Sequence, residues 1–420
     1  MKKIHSLTGM IDLLGQKDNE SSQSDKIFNT EKSLIKIFKN YSLNEIRTPA
    51  LEDEQLFNRS VGESSDIVNK ELYSFQDKNE KTISLRPEGT AGVARSIIEK
   101  KLENDFHRLW YLGPMWRYER PQKGRYRQFN QAGVELLGYK EGLAELEMIS
   151  MVISINAELN IKNPKIKINH LGDNESKESF CNDLKTFLEP HAKNLDKRDI
   201  DRLNKNPLRV LDSKSIDTQN VLKNAPKISD YISQDSLNML DTVKETFPNE
   251  NIEIDHSLVR GLDYYTGFIF EAVSEDLGAQ DAYLGGGRYD QLFEELGGKK
   301  LPAIGMAIGI ERLAEISKNT SSRQTLISFM ILSDKIQQKA YKIAHDLRSL
   351  NKDIVFEVSL GEGSLKSKLR RANKDKASYA IILGDEELAS ETILLKSLQE
   401  DNSDQKKLTL NEIKKFISSI

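Results

Sequence analysis

Five short stretches of the chain carry residue types that can do chemistry. RPEGTAG, Arg86 to Gly92, sets the carboxylate of Glu88 and the hydroxyl of Thr90 at a tight turn after a strand. Such a pair suits an ammonium group. The same two residues also read as the capped start of a helix. Within GPMWRYERPQKGRYRQFNQAGVE, Gly113 to Glu135, the stretch from Arg117 to Arg127 places five basic residues (117, 120, 123, 125 and 127) against one acid, Glu119, a local charge of +4. Guanidinium forks bind phosphate oxygens through paired, directional bonds, and Tyr126 and Phe129 offer faces on which a base can stack. The plainer reading is a solvated loop. LVRGLDYYTGFIFE, Leu258 to Glu271, follows an Arg-Gly turn with two tyrosines, either a polar pocket wall or a packed sheet edge. LGGGRYDQL, Leu284 to Leu292, has three consecutive glycines, which allow close backbone approach or positive φ; alone it reads as a turn. GMAIGIERL, Gly305 to Leu313, puts small residues on an apolar strand where a flat ligand can lie, with Arg312 beside a phosphate at the next helix start.

These stretches need elements to position them. Residues 24–41 have helical spacing through Ile27, Leu34, Phe38 and Tyr41. A strand follows at Glu45–Thr48 and stops at Pro49. Residues 67–86 alternate like a hairpin, Ala91 to Lys101 looks helical, and 109–119 and 129–138 read as a second hairpin around the basic loop. Helix is expected at 141–160, and a charged, mostly helical insertion from about 172 to 248. Strand pattern returns at FIFEAV, 268–273. After Arg323, LISFMIL, IVFEVSL and YAIILG alternate with two helical segments, which predicts a separate α/β domain behind the polar linker 317–325.

Composition narrows the classes. The chain has 420 residues, 38% hydrophobic and 30% charged, so extensive disorder is excluded. Its single cysteine, Cys181, excludes an intrachain disulfide and a cysteine-built zinc site and fits a reducing, cytoplasmic setting. The six histidines are scattered without metal-ligand spacing, so no protein metal site is expected. The N-terminus is a poor signal peptide, and no stretch of 18 uninterrupted apolar residues suggests a membrane span. The net charge of −4 conceals two basic foci. One is the loop at Arg117–Arg127. The other is SLKSKLRRANKDKA, where Lys366, Lys368, Arg370, Arg371, Lys374 and Lys376 oppose only Asp375. Leu365, Leu369 and Ala372 share one helical face, so the cations are expected to point outward, either as a solvated face or toward nucleic-acid phosphates.

Taken together and in order, the five stretches resemble the signature set of the histidyl-tRNA synthetase family, class II aminoacyl-tRNA synthetases. Helix 24–41 with EIRTP resembles motif 1, Gly113–Glu135 motif 2 and Gly305–Leu313 motif 3; the other two glycine- and tyrosine-containing stretches resemble the histidine-specific motifs. The resemblance implies an α+β chain: a class II catalytic core, an antiparallel sheet flanked by helices, over residues 1–322 with the insertion at 172–248, and an anticodon-binding α/β domain over 323–420. It implies ATP and Mg²⁺, L-histidine, tRNA(His), a homodimer through motif 1, and no membrane.

The resemblance also implies residue roles. Glu88 and Thr90 would hold the α-amino group of histidine, and Gln131 its backbone. Glu135 and either Tyr264 or Tyr265 would read the two imidazole nitrogens, a pairing that rejects isosteres because a wrong side chain leaves buried groups unpaired. Arg117 and Arg260 would meet the α-phosphate from opposite sides as the catalytic pair, and Arg260 would also belong to the histidine-binding set. Arg125 and Arg312 would clamp the outer phosphates, with Glu119 and Phe129 around the adenine. Arg120, Gln122 and Lys123 would meet the tRNA acceptor end; Lys366, Lys368, Arg370, Arg371 and Lys374 would meet the anticodon end. Thr8-Gly9 departs from the Arg-Gly pair often found near the family's N-terminus, which bears on the N-terminal contacts. The rival reading is a histidine-sensing regulatory subunit of ATP phosphoribosyltransferase; the C-terminal domain and Arg117, Arg260 and Arg312 speak against it.

Overall fold

The computed structural model describes residues 3–15, 22–62, 65, 67–121, 124–278, 281–318, 325–360, 363–398 and 405–420. The chain divides into two compact units, Met1–Leu13 with Lys26–Asn319, and Leu14–Asp25 with Thr320–Ile420.

The first unit is built on an eight-stranded sheet in the order Asn44–Glu45, His107–Trp116, Gln128–Leu137, Ala303–Gly309, Ala282–Arg288, Phe268–Val273, Lys165–His170, Ile252–Ile254. The inner pairings are antiparallel, and a parallel strand closes each edge. Period-two alternation gives the two faces opposite characters. Ala132, Val134, Leu136, Ile304, Met306, Ile308, Leu284, Phe268 and Phe270 turn to one side and bury against helices Gln23–Asn40 and Leu143–Glu158. The other face carries Phe129, Gln131, Gly133 and Glu135 in register with Gly309, Ala307 and Gly305, and onward with Gly285 and Glu271. This face is small and polar where the reverse is bulky and apolar.

A separate three-stranded sheet (Leu51–Asp53, Thr82–Leu85, Tyr73–Gln76) holds the expected hairpin from Tyr73 onward, whereas Ile67–Glu71, expected in its first strand, forms a single π-helical turn. The insertion is helical from Asn174 through Thr246, with its own core around Phe180, Leu184, Leu188, Leu203 and Val210.

The second unit has a five-stranded sheet in the order Val355–Val358, Leu326–Ile331, Tyr379–Leu383, Thr392–Ser397, Gln405–Thr409. Its first three strands are parallel and its last two antiparallel. Ile327, Phe329, Ile381 and Leu383 pack toward helices Gln337–Arg348 and Leu410–Ser419, whereas Met330, Ala380 and Ile382 face helix Leu365–Lys374.

Some expectations change. The triple glycine lies inside strand Ala282–Arg288, not in a turn. The strand at 45–48 shrinks to Asn44–Glu45, because Ile46 is the last residue whose N–H reaches a partner strand carbonyl, that of Trp110. Lys165–His170, Ile252–Ile254 and the final strand pair were not anticipated. Ile252–Ile254 is too short to stand out, and the edge strand Gln405–Thr409 carries two exposed lysines. Part of the expected linker 317–325 and the loop positions Gln122 and Lys123 lie outside the described residues.

Candidate active site

A cavity of about 840 Å³ opens over the small-residue face of the large sheet. Of the residues singled out in the sequence, Glu88, Arg117, Glu119, Arg125, Phe129, Gln131, Arg260, Tyr264, Tyr265 and Arg312 line it. Thr90 and Glu135 sit behind its surface, 7% and 0% exposed.

One end is floored by Glu135. Its carboxyl accepts from Thr90 Oγ1 at 2.7 Å and from the Tyr289 hydroxyl. A Cβ on Gly305 would fall 1.8 Å from Glu135 Oε2, so glycine at that register position is what admits the carboxyl. Burial pushes the Glu135 carboxyl up to about 8, against the lowering effect of the two hydroxyl donors. Glu88 caps helix Thr90–Glu99, accepting from the N–H groups of Thr90 at 2.7 Å and Ala91 at 2.8 Å. Burial raises its pKa even so. The helix-cap reading of Glu88 is thus realised, while Thr90 turns its hydroxyl to Glu135. Tyr264 stacks obliquely on Tyr265 at 4.7 Å between centroids and edge-on to Tyr289 at 5.6 Å. Burial raises the pKa of all three phenols, so they remain neutral hydroxyls.

The other end gathers guanidinium groups. Arg117 lies over the Phe129 ring, 5.3 Å from its centroid, and donates to Pro87 O at 2.9 Å. Arg125 pairs with Glu119 at 3.2 Å. Arg312, on the helix after strand Ala303–Gly309, donates to Gly124 O at 3.1 Å and Ala282 O at 2.8 Å. Burial, with repulsion from Arg125 and Arg117 against the pull of Glu119, lowers the Arg312 pKa. Three guanidinium groups gathered here offer paired donors to an anion such as phosphate. Phe129 and Glu119 are thus engaged with arginines.

Arg260 stands beside both ends. It is ion-paired to Glu271, while its Nε is buried with no partner. Strand glycine makes room for it, since a Cβ on Gly285 would lie 2.3 Å from Nη2.

Sequence reasoning assigned no role to Tyr289 or Glu271, although both lie in the quoted stretches. Glu271 had a signal, as a lone acid in FIFEAV. Arg288, next to Tyr289, is structural: it is buried and bonded to Glu145, Asp290 and the Tyr139 carbonyl. Asp212, Ser213 and Lys214 of the insertion also reach the cavity wall, which composition gave no means to foresee. Gly9 O accepts from Arg127 N at 2.7 Å, so the Thr8-Gly9 segment still braces the basic loop.

Among the basic residues outside the cavity, Arg120 is exposed, as are Lys366, Arg370, Arg371 and Lys374 on helix Leu365–Lys374. Lys368 departs from expectation. It is half-buried and its Nζ donates to Ile331 O at 2.8 Å, because at i+3 from Leu365 its stem follows the packed face. No group of three or more His, Cys, Asp or Glu suited to a metal ion occurs among the described residues, and no helix there is long and apolar enough to cross a membrane.

The family model described as histidyl-tRNA synthetase matches residues 15–313, and that described as an anticodon binding domain matches 325–420. The chain is 41% identical to the histidine–tRNA ligase of Francisella philomiragia subsp. philomiragia, over 100% of both chains. It is 40% identical to that of Prochlorococcus marinus, over 96% of this chain and 95% of the relative. In solved structures it is similar to apo S. aureus histidyl-tRNA synthetase, with a TM-score of 0.78 and 30% identity over 99% of this chain and 100% of that one.

Proposed function

The chain belongs to the histidyl-tRNA synthetase family, and from that premise we propose how its cavity works. The protein is a histidine–tRNA ligase: it activates L-histidine with ATP, releasing pyrophosphate, and passes the histidyl group to the 3′ end of tRNA(His). The observation that carries our reading is the division of one cavity into a neutral, hydroxyl-lined end and an arginine-lined end, with Arg260 beside both.

In this reading the imidazole displaces the internal bonds of Glu135 and pairs one nitrogen with its carboxyl and the other with Tyr264 or Tyr265. Glu88 and Thr90 receive the α-ammonium, and Gln131 fixes the amino-acid backbone. Placed so, the histidine carboxylate attacks the α-phosphorus in line, the P–O bond to pyrophosphate breaks, and its electron pair leaves with the pyrophosphate. Arg117 and Arg260 stabilise the charge building on the α-phosphoryl oxygens. Arg125 and Arg312 hold the outer phosphates, whose charge offsets that of the guanidinium groups. The adenine lies against Phe129 near Glu119. Holding both reactants removes most of the entropic cost of a bimolecular step.

Mg²⁺ fits this site only in company with ATP. Glu119 and Glu271 are the carboxylates beside the arginines, and each is already paired. Two carboxylates plus phosphate oxygens are the usual Mg²⁺ donor set, whereas an all-protein cage is not. Glu119 and Glu271 would hold it, and it would neutralise phosphate charge.

Arg120, together with Gln122 and Lys123, meets the acceptor end in this reading, and the exposed Lys366, Arg370, Arg371 and Lys374 meet anticodon-end phosphates. Lys368 is withdrawn from that group by its bond to Ile331. A cytoplasmic homodimer through helix Gln23–Asn40 completes the reading. Phe28 on that helix, 64% exposed, is suited to a partner surface.

Histidine-dependent exchange of pyrophosphate into ATP, followed by charging of tRNA, tests the function. Exchange and charging are both expected. Absence of exchange would refute the activation chemistry, and exchange without charging would favour a histidine-sensing role.

A further inference from the structure

The segment 255–267, which carries Arg260, Tyr264 and Tyr265, has no helix or strand. No ladder therefore fixes these side chains, and their bearing must come from elsewhere. The ends of the segment are tied to the sheet: Asp255 N donates to Ile168 O and Gly267 N to Gly172 O, both at 2.9 Å. The middle is tied to the insertion. Arg209 Nη2 donates to Gly261 O at 2.7 Å and to Asp263 Oδ1 at 3.1 Å. Asn206 Nδ2 donates to the same carboxylate oxygen at 2.9 Å. From helix Asn174–Leu188, Lys177 Nζ donates to Asp263 O at 3.2 Å and Tyr265 O at 3.0 Å. The core side contributes Val61 O, which accepts from Asp263 N at 3.4 Å, and Gly62, whose missing side chain leaves space for Asp263 Oδ2.

We propose that Lys177, Asn206 and Arg209 are positioning residues for histidine activation: through Asp263 the insertion holds the loop bearing Arg260, Tyr264 and Tyr265 in its reacting geometry. The proposal rests on the reading that this loop meets histidine and the α-phosphate. Its logic is geometric. Arg209 grips Gly261, the neighbour of Arg260, and Asp263, the neighbour of Tyr264; Lys177 grips the peptide on either side of Tyr264. Five bonds from three insertion side chains thus bracket the three residues that do the chemistry. The arginines that hold the outer phosphates stand on other elements and are not bracketed. Loosening the clamp is therefore expected to slow the chemical step without weakening ATP binding.

The test is steady-state histidine-dependent pyrophosphate exchange by the full-length protein and its Arg209→Met, Arg209→Lys, Asp263→Asn and Arg209→Met/Asp263→Asn variants, each checked for native circular dichroism. Arg209→Met is expected to lower kcat roughly 10- to 100-fold, the scale of an ångström-sized misplacement, with KM for ATP within about twofold of wild type. Arg209→Lys is expected to recover part of the loss, and the double variant to lose less than the two single losses combined, since both weaken the Arg209–Asp263 pair while Arg209 also holds Gly261 and Asp263 also holds Asn206. A folded Arg209→Met with wild-type kcat would overturn the proposal, as would equal effects on kcat and on KM for ATP, or additive losses. If Arg209→Met does not fold, Asn206→Ala decides: a several-fold loss of kcat alone supports the clamp, and wild-type kcat refutes it. Arg260→Ala separates the levels. Wild-type exchange by that variant would bring down the underlying reading, whereas an inactive Arg260→Ala beside a fully active Arg209→Met would bring down the clamp alone.

Discussion

The two ends of the cavity are polar in different ways. At the Glu135 end the polar groups satisfy one another: carboxyl, threonine hydroxyl and tyrosine hydroxyl form a closed set, and burial raises the carboxyl pKa. At the arginine end Arg117, Arg125 and Arg312 stand together, with Glu119 paired to Arg125 and Glu271 to Arg260, and the guanidinium groups cannot shed charge to relieve their repulsion. A ligand at the first end must replace bonds that already exist, so a side chain that cannot reproduce them leaves buried groups unpaired. A ligand at the second end meets guanidinium donors that bind phosphate oxygens without regard to the rest of the molecule, so any polyphosphate of the right length gains. Selectivity thus belongs to the closed end and charge-driven affinity to the open one.

The sharpest way to break this comparison is the residue that belongs to both ends. Arg260→Ala is expected to cut the exchange rate by roughly 10²–10³, the scale of losing one transition-state donor, with KM for histidine little changed; an unaltered rate would refute its role. Next come substitutions that load one end only. Arg312→Gln is expected to raise KM for ATP roughly 10- to 100-fold, the worth of charged hydrogen bonds, and Glu135→Gln to raise KM for histidine by about tenfold or more. Effects outside the cavity should be smaller for activation. Lys366→Glu with Arg370→Glu is expected to leave exchange unchanged while weakening tRNA binding and reducing its salt slope by about 1 per lost phosphate contact; an unchanged slope would remove this face from the tRNA interface.

The smallest effect concerns stability. Burial pushes the Glu135 pKa up to about 8 in the folded protein, whereas the unfolded carboxyl titrates near its ordinary value of 4.5. Between those limits the folded state binds more protons, so this group makes stability fall as pH rises, with no further fall well above 8. Glu135→Gln is expected to lose less stability than wild type between pH 5.5 and 8 in urea titrations. An identical pH slope would show that the carboxyl is already ionised.

Much of this was legible beforehand because it is encoded in short, ordered stretches. The hairpin around the basic loop, the small-residue strand before Arg312 and the helical insertion follow from alternation, spacing and charge. Other features depend on contacts distant in sequence. The glycines at 285 to 287 read as a turn because nothing local reveals that Gly285 sits against Arg260 and Gly287 against Tyr265. Glu88 was left between ammonium binding and helix capping, and the fold shows the cap without touching the other role. Tyr289 could not be linked to Glu135 from 154 positions away. Lys368 looked like its neighbours because charge counting ignores the path of a long stem across a packed face.

The most direct test of the two-ended cavity is pyrophosphate exchange by Glu135→Gln and Arg312→Gln, each titrated separately in histidine and in ATP. The account predicts a crossed result: KM for histidine rises in the first variant alone and KM for ATP in the second alone. A parallel rise in both constants in either variant would contradict it.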